Sequence, residues 1–212
     1  MYASIKRQAM TMAVIGIVFL GLALRVIHFS PLDIMHPDEL MQYLEQGNRL
    51  ATGHGAIPWE ARFGLRNALI EQFLAVFLWI GHAVSPGTLF AVYLARAMFA
   101  VLTLLVLPAA WRLGALSSRM HAVVALFVAA VWWESVLFSE LLLSESLSAA
   151  LMLLAAAPLL RASEYKGAAV RALGGSGFLL ALGVMIRLQY APFALVLAVG
   201  ALGMDLRRWR PV

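Results

Sequence analysis

Asp38 and Glu39 close a His36-Pro37-Asp38-Glu39 run, which is followed by Gln42-Tyr43-Leu44-Glu45 and then by Trp59-Glu60. In a very apolar chain this is a concentrated patch of carboxylates, the group that takes a proton from a hydroxyl in general-base catalysis. Pro37 suits the first position of a helix, because its missing N–H is unpaired there in any case and its φ is already helical. A helix is therefore expected to start at His36-Pro37. Asp38 and Glu39 then sit in the first turn, where the positive end of the helix dipole favours ionised carboxylates. Spacings of three and four residues put Asp38, Gln42 and Glu45 on one face, and Leu40, Met41 and Leu44 on another that packs on the membrane. A solvated, well-capped amphipathic helix satisfies the same pattern.

Other polar residues interrupt long apolar runs. Arg96 and Glu134 each fall inside such a run, and intramembrane charges are costly unless paired or functional, so a structural Arg96–Glu134 pair is expected. Arg187, beside Gln189 and Tyr190, supplies with Arg62 and Arg66 the guanidinium forks that hold phosphate, although an arginine near a membrane surface also snorkels. Ser144-Glu145-Ser146 reads first as a helix start, Ser144 capping and Glu145 on the dipole; its other reading is a second carboxylate facing the Asp38 cleft. Trp59 is equally suited to stacking on a sugar and to anchoring at the interface. The five histidines show no ligand spacing, so no metal site is expected from them.

The elements that must position these residues are membrane helices. The chain is 63% hydrophobic and only 13% charged, against roughly 25% charge in soluble domains, and its mean hydropathy is +0.87. Apolar stretches fall at 10–29, 67–85, 88–111, 120–139, 141–160, 172–187 and 188–204, most near the ~20 residues that cross a bilayer. The net charge of +5 is explained by basic helix ends rather than by nucleic acid. The run at 10–29 reads as a retained signal anchor, since it exceeds a signal-peptide core and no small-x-small site follows. The chain has no cysteine, which excludes disulfides and thiolate chemistry.

Charge decides the topology. If 67–85 crosses, Arg112, Arg119, Arg161, Lys166, Arg171, Arg207, Arg208 and Arg210 lie opposite Lys6 and Arg7, against the positive-inside rule. If 67–85 is interfacial or re-entrant, all of these share the cytoplasmic side, and Glu71-Gln72 within the stretch is better tolerated. The expected fold is all-α and polytopic: one membrane domain over 1–212, with a first span at 10–29, a large outer loop at 30–87 carrying interfacial helices, and five further spans over 88–206.

The run H36-P37-D38-E39 to E45, with G53-H-G55, W59-E60, R62 and R66, then A95-R96, L143-S144-E145 and I186-R187, resembles the polytopic mannosyltransferases of the GT-C superfamily that use lipid-linked sugars. The resemblance touches nearly the whole chain. It implies a many-helix fold whose first outer loop holds the catalytic acid, Asp38, with Glu39 beside it. It also implies substrate contacts from His36, Gln42, Tyr43, Trp59, Glu60, Arg62, Arg66, Glu145 and Arg187. The expected donor is a polyprenyl- or dolichyl-phosphate sugar and the acceptor a glycan or lipid hydroxyl, transferred with inversion; a divalent metal is an open question, and no other cofactor is expected. Members of the resembled family are about twice as long, so the chain is expected to be an N-terminal half, or a partner subunit of a split enzyme. A small transporter is the weaker alternative, since Gly174-Gly175 and Gly183 offer one helix break rather than paired ones. Compact loops favour a bacterial inner membrane over the endoplasmic reticulum, with the N-terminus cytoplasmic.

Overall fold

The structure, a computed structural model, describes residues 2–34, 36–65, 67–161 and 169–206, with backbone alone for 2–6, 169–172 and 202–206. Arg66, Lys166, Arg207, Arg208 and Arg210, and the side chains of Lys6 and Arg171, thus lie outside the described residues. Among those described, every regular element is helical. The long apolar run after the N-terminus forms α1, Tyr2–His28. After it, a helix opens at Pro37 as expected, makes a π turn over Glu39–Leu44 and continues as α2, Glu45–Thr52. The His36 ring accepts at Nδ1 from the Asp38 N–H at 3.2 Å, occupying one of the donors a helix start leaves unpaired. Gly53, at φ 78, ends α2 in the left-handed conformation that glycine adopts without penalty.

A short α3, Trp59–Arg62, precedes α4, Leu69–Val84. The next apolar run is bent into α5, Phe90–Thr103, and α6, Val106–Gly114. Pro108 explains the joint: it cannot donate to the Leu104 carbonyl and its ring crowds it, so that carbonyl accepts instead from Leu107 at 3.0 Å. The stretch expected to run unbroken over 120–139 divides into α7, Arg119–Val131, and α8, Trp133–Leu137, with an extended Trp132 between them. Buried Arg25 of α1 is the cause. Its guanidinium donates to the carbonyls of Ala129 (3.3 Å), Ala130 (3.0 Å) and Ser135 (3.2 Å), satisfying acceptors that a break in the ladder frees. The chain finishes with α9 (Ser144–Leu160), α10 (Ala169–Ile186), a 3₁₀ turn (Leu188–Tyr190) and α11 (Ala191–Leu206), the turn following the boundary between the apolar stretches 172–187 and 188–204. α10 passes through Gly174-Gly175 without a break.

Two stretches, Arg7–His28 and the bent Phe90–Gly114, are long and apolar enough to cross a membrane. The remaining apolar helices, α4, α7, α9, α10 and α11, are of 13 to 18 residues, about 20–27 Å at 1.5 Å per residue. Large apolar side chains on α1, α4 and α11 face outward, among them Phe19, Val26, Trp79 and Val196, as lipid contact would require.

Two packed groups share a core. α9 lies against α6, α10 and α11, while α7 joins α6 to α1. In the second group α4 packs between α2 and α5. Leu74, Leu78, Ala95 and Phe99 are fully enclosed there, and Leu142 and Leu147 bring the α9 side into the same cluster. The α4–α5 crossing is tight because Gly81 has no side chain: a Cβ there would sit almost on the Ala91 Cα, the small-residue contact that lets membrane helices approach. Gly81→Val is expected to push the two helices apart and cost about 1–3 kcal/mol, lowering the detergent-solubilised melting temperature by roughly 3–10 °C. Gly16→Ala, in open surroundings, should leave it unchanged.

Candidate active site

The site begins with a buried ion pair. Glu39 faces inward from the π turn and meets Arg96 of α5, Oε1 to Nη2 at 2.8 Å, both side chains fully enclosed. Each partner also binds backbone. Glu39 Oε1 accepts from the Leu142 N–H at 3.1 Å. Arg96 donates to the carbonyls of Pro31 (3.0 Å), Asp33 (3.4 Å) and Glu140 (3.3 and 3.4 Å). Burial pushes the Glu39 carboxyl above its ordinary range, while the Leu142 N–H and the Arg96 guanidinium pull the other way. This corrects the expected Arg96–Glu134 pair: Glu134 is exposed and accepts from the Trp132 indole at 3.1 Å. It also separates Glu39 from its neighbour, because Glu39 is held in the interior and does not line the groove that Asp38 faces.

That groove, about 670 Å³, runs between the Asp38 helix, the start of α9 and the end of α10, with Tyr43, Asn67, Glu71, Ser144 and Arg187 in its walls. Asp38 is half exposed. Gln42 donates to its Oδ1 at 2.9 Å, the expected i,i+4 neighbour, and His36 Nδ1 lies 4.0 Å from Oδ2. Across the groove Arg187 is anchored three ways: Nη1 to Glu145 Oε1 at 2.7 Å and to Ser144 Oγ at 2.9 Å, and Nε to Gln189 Oε1 at 3.0 Å. The Tyr43 hydroxyl donates to Ser144 Oγ at 2.9 Å, and Ser144 donates on to Glu145 Oε2 at 3.2 Å. Arg187 Nη2 has no hydrogen bond among the described residues. A fork held on one side with a free N–H on the other is suited to a phosphate oxygen.

Ser144 is therefore not the helix cap that the sequence implied. Leu143 holds the capping position in an extended conformation, and Ser144 begins α9 with its hydroxyl turned to Tyr43 and Arg187. Sequence reading missed this because Ser-Glu at a helix start satisfies the local capping pattern by itself. Of the remaining expected residues, Glu60 lines a smaller neighbouring pocket of about 140 Å³ with Gln42, Gln46, Arg49 and Glu71. Glu71 belongs to both walls. Trp59 and Arg62 are exposed and line neither, and Arg66 lies outside the described residues. Glu45 accepts from the Ala56 N–H at 2.9 Å and Gln46 donates to the Ala56 carbonyl at 3.0 Å, so together they fasten the Gly53–Pro58 loop to α2. Among the described residues no three His, Asp or Glu side chains converge as a metal site would require.

The described residues thus form a helical chain with outward apolar surfaces, in which an acid and an arginine open onto one groove. The chain matches the Alg9-like mannosyltransferase family over residues 16–210 and belongs to it; its activity is that of a glycosyltransferase. No curated protein and no solved structure matches it.

The ion pair yields a direct test. Glu39→Leu leaves Arg96 buried without its counter-charge and is expected to cost about 3–5 kcal/mol. Glu39→Leu combined with Arg96→Leu should be less destabilised than the sum of the two single variants, as thermal unfolding in detergent would show. Strict additivity would mean that the two groups do not interact.

Proposed function

We propose that the chain transfers a mannose-like sugar from a polyprenyl- or dolichyl-phosphate carrier to a hydroxyl of a glycan or lipid acceptor, on the membrane side away from the cytoplasm. Asp38 takes the proton of the acceptor hydroxyl. The acceptor oxygen bonds to the anomeric carbon as the bond from that carbon to the phosphate oxygen breaks, so a single displacement inverts the centre. The lipid phosphate leaves with the bonding electrons and needs no proton, and one carboxylate suffices. Arg187 holds the departing phosphate through its free Nη2, while Ser144, Glu145 and Gln189 fix the guanidinium in place.

The observation that carries this reading is that Asp38 and Arg187 open onto the same groove, in a chain of the mannosyltransferase family. Tyr43 and Gln42 are positioning residues, the first through Ser144 and the second on the Asp38 carboxylate. Trp59 and Glu60 belong to the acceptor-side part of the first loop, and Arg62 or Arg66 of the same loop assists Arg187 at the departing phosphate. The six-crossing topology, with cytoplasmic N-terminus, is part of the same proposal and is supported by the basic ends of α1, α6 and α9, at Arg7, Arg112 and Arg161.

Asp38→Asn, which keeps the Gln42 contact geometry, is expected to lower transfer from a polyprenyl-phosphate mannose by about 10²–10⁴-fold without changing the melting temperature. Normal turnover by this variant would sink the assignment. Arg187→Ala is expected to lower kcat by about 10²-fold or more, with Arg187→Lys recovering part of the loss, measured by release of radiolabelled sugar from the same donor.

A further inference from the structure

A second cavity lies at the other end of the helices. α9 runs from Ser144 in the groove to Leu160, and α10 returns to Ile186. Between their far ends and α6 is a space of about 740 Å³, with Trp111, Arg112, Arg161, Ser176 and Phe178 in its walls and no acidic side chain among its described lining residues. Three independent features there lack a structural explanation.

The first is charge. Arg112, in the last turn of α6, is exposed and makes no hydrogen bond or ion pair among the described residues. Arg161 is fixed on the rim by a hydrogen bond from Nη2 to the Ala115 carbonyl at 2.5 Å. The second is Ser176, which lines the cavity and is buried, yet its hydroxyl has no partner. Such groups are normally satisfied. The third is the run Gly174-Gly175-Ser176-Gly177 within α10. Glycine weakens a helix interior, and the usual compensation is close approach of a neighbour. Here a Cβ at Gly174, Gly175 or Gly177 would meet nothing within 4 Å. Gly175 lines the cavity, so its missing side chain leaves that space open.

We propose that this cavity binds the phosphate headgroup of an anionic membrane phospholipid on the cytoplasmic side. The two arginines supply charge to the phosphodiester. Ser176 supplies a neutral donor at the inner wall. Trp111, Phe178 and Leu179 form apolar walls for the adjoining acyl chain, with Trp at the headgroup level where its ring is favoured. A basic pocket between membrane helices at the cytoplasmic surface is where such headgroups bind. Free phosphate would gain nothing from the apolar walls. The site is separate from the Asp38 groove: its placement on the cytoplasmic side rests on the topology proposed above, and the inference does not rest on the reaction assigned to the groove.

The test is native mass spectrometry of the full chain in detergent, titrated with phosphatidylglycerol, with phosphatidylcholine, and with inorganic phosphate. One or more phosphatidylglycerol molecules should be retained at least five-fold more strongly than phosphatidylcholine. Arg112→Gln is expected to lower that retention about five-fold, the effect of one surface charge. Gly175→Phe, which fills the cavity and improves helix propensity, should abolish the preference while the melting temperature holds. Equal retention of the two lipids, undiminished retention by Gly175→Phe, or displacement of the lipid by millimolar inorganic phosphate would each overturn the proposal.

Discussion

The Glu39–Arg96 pair is the contact on which the rest of the arrangement depends. An arginine at zero exposure inside a helix bundle must be neutralised and must find acceptors for its N–H groups, or the fold does not form around it. Here one guanidinium gathers four separate pieces of chain: the segment after α1 through Pro31 and Asp33, the π turn through Glu39, the turn before α9 through Glu140, and α5 itself. Glu39 closes the loop by accepting from Leu142. The mutual attraction of the two charges offsets the cost of burying them, so the pair adds little net stability while the loss of one partner is costly.

Its effect on the site is positional. Asp38 directly precedes Glu39, so the inward turn of one carboxylate fixes where the other emerges. Ser144 follows Leu142 by two residues, so the same pair also sets the start of α9, from which Ser144 and Glu145 reach Arg187. The two sides of the groove are therefore referenced to one buried contact. The π turn at Glu39–Leu44 fits this pattern, because such wide turns are tolerated mainly where function or tertiary contacts hold them.

Much of the local structure was legible in the residues. The helix start at Pro37, the Asp38–Gln42 neighbour pair, the turn at Leu188–Tyr190 and the Arg187–Gln189 proximity all follow from φ restriction, helical spacing or adjacency. Partner choice did not follow. Arg96 was paired with Glu134 because both fall inside apolar runs, and sequence spacing does not show that the first loop folds back to bring Glu39 to it. The split between α7 and α8 was hidden for the same reason: the group that satisfies the freed carbonyls belongs to α1. Ser144 misled because a cap and a hub share the same local pattern, while only the tertiary position of Tyr43 and Arg187 tells them apart. Trp59 and Arg62 were grouped with the site by side-chain chemistry and by resemblance, and both are exposed on and at the end of the short α3.

The contact between Arg25 and α7 bears on how the chain assembles as it is made. Apart from the Gly21 carbonyl within α1 itself, the acceptors of this arginine lie more than a hundred residues downstream, so the first helix is made well before most of the groups its guanidinium binds. Docking of α7 and α8 supplies those acceptors together, which ties the placement of the first helix to that of a much later one.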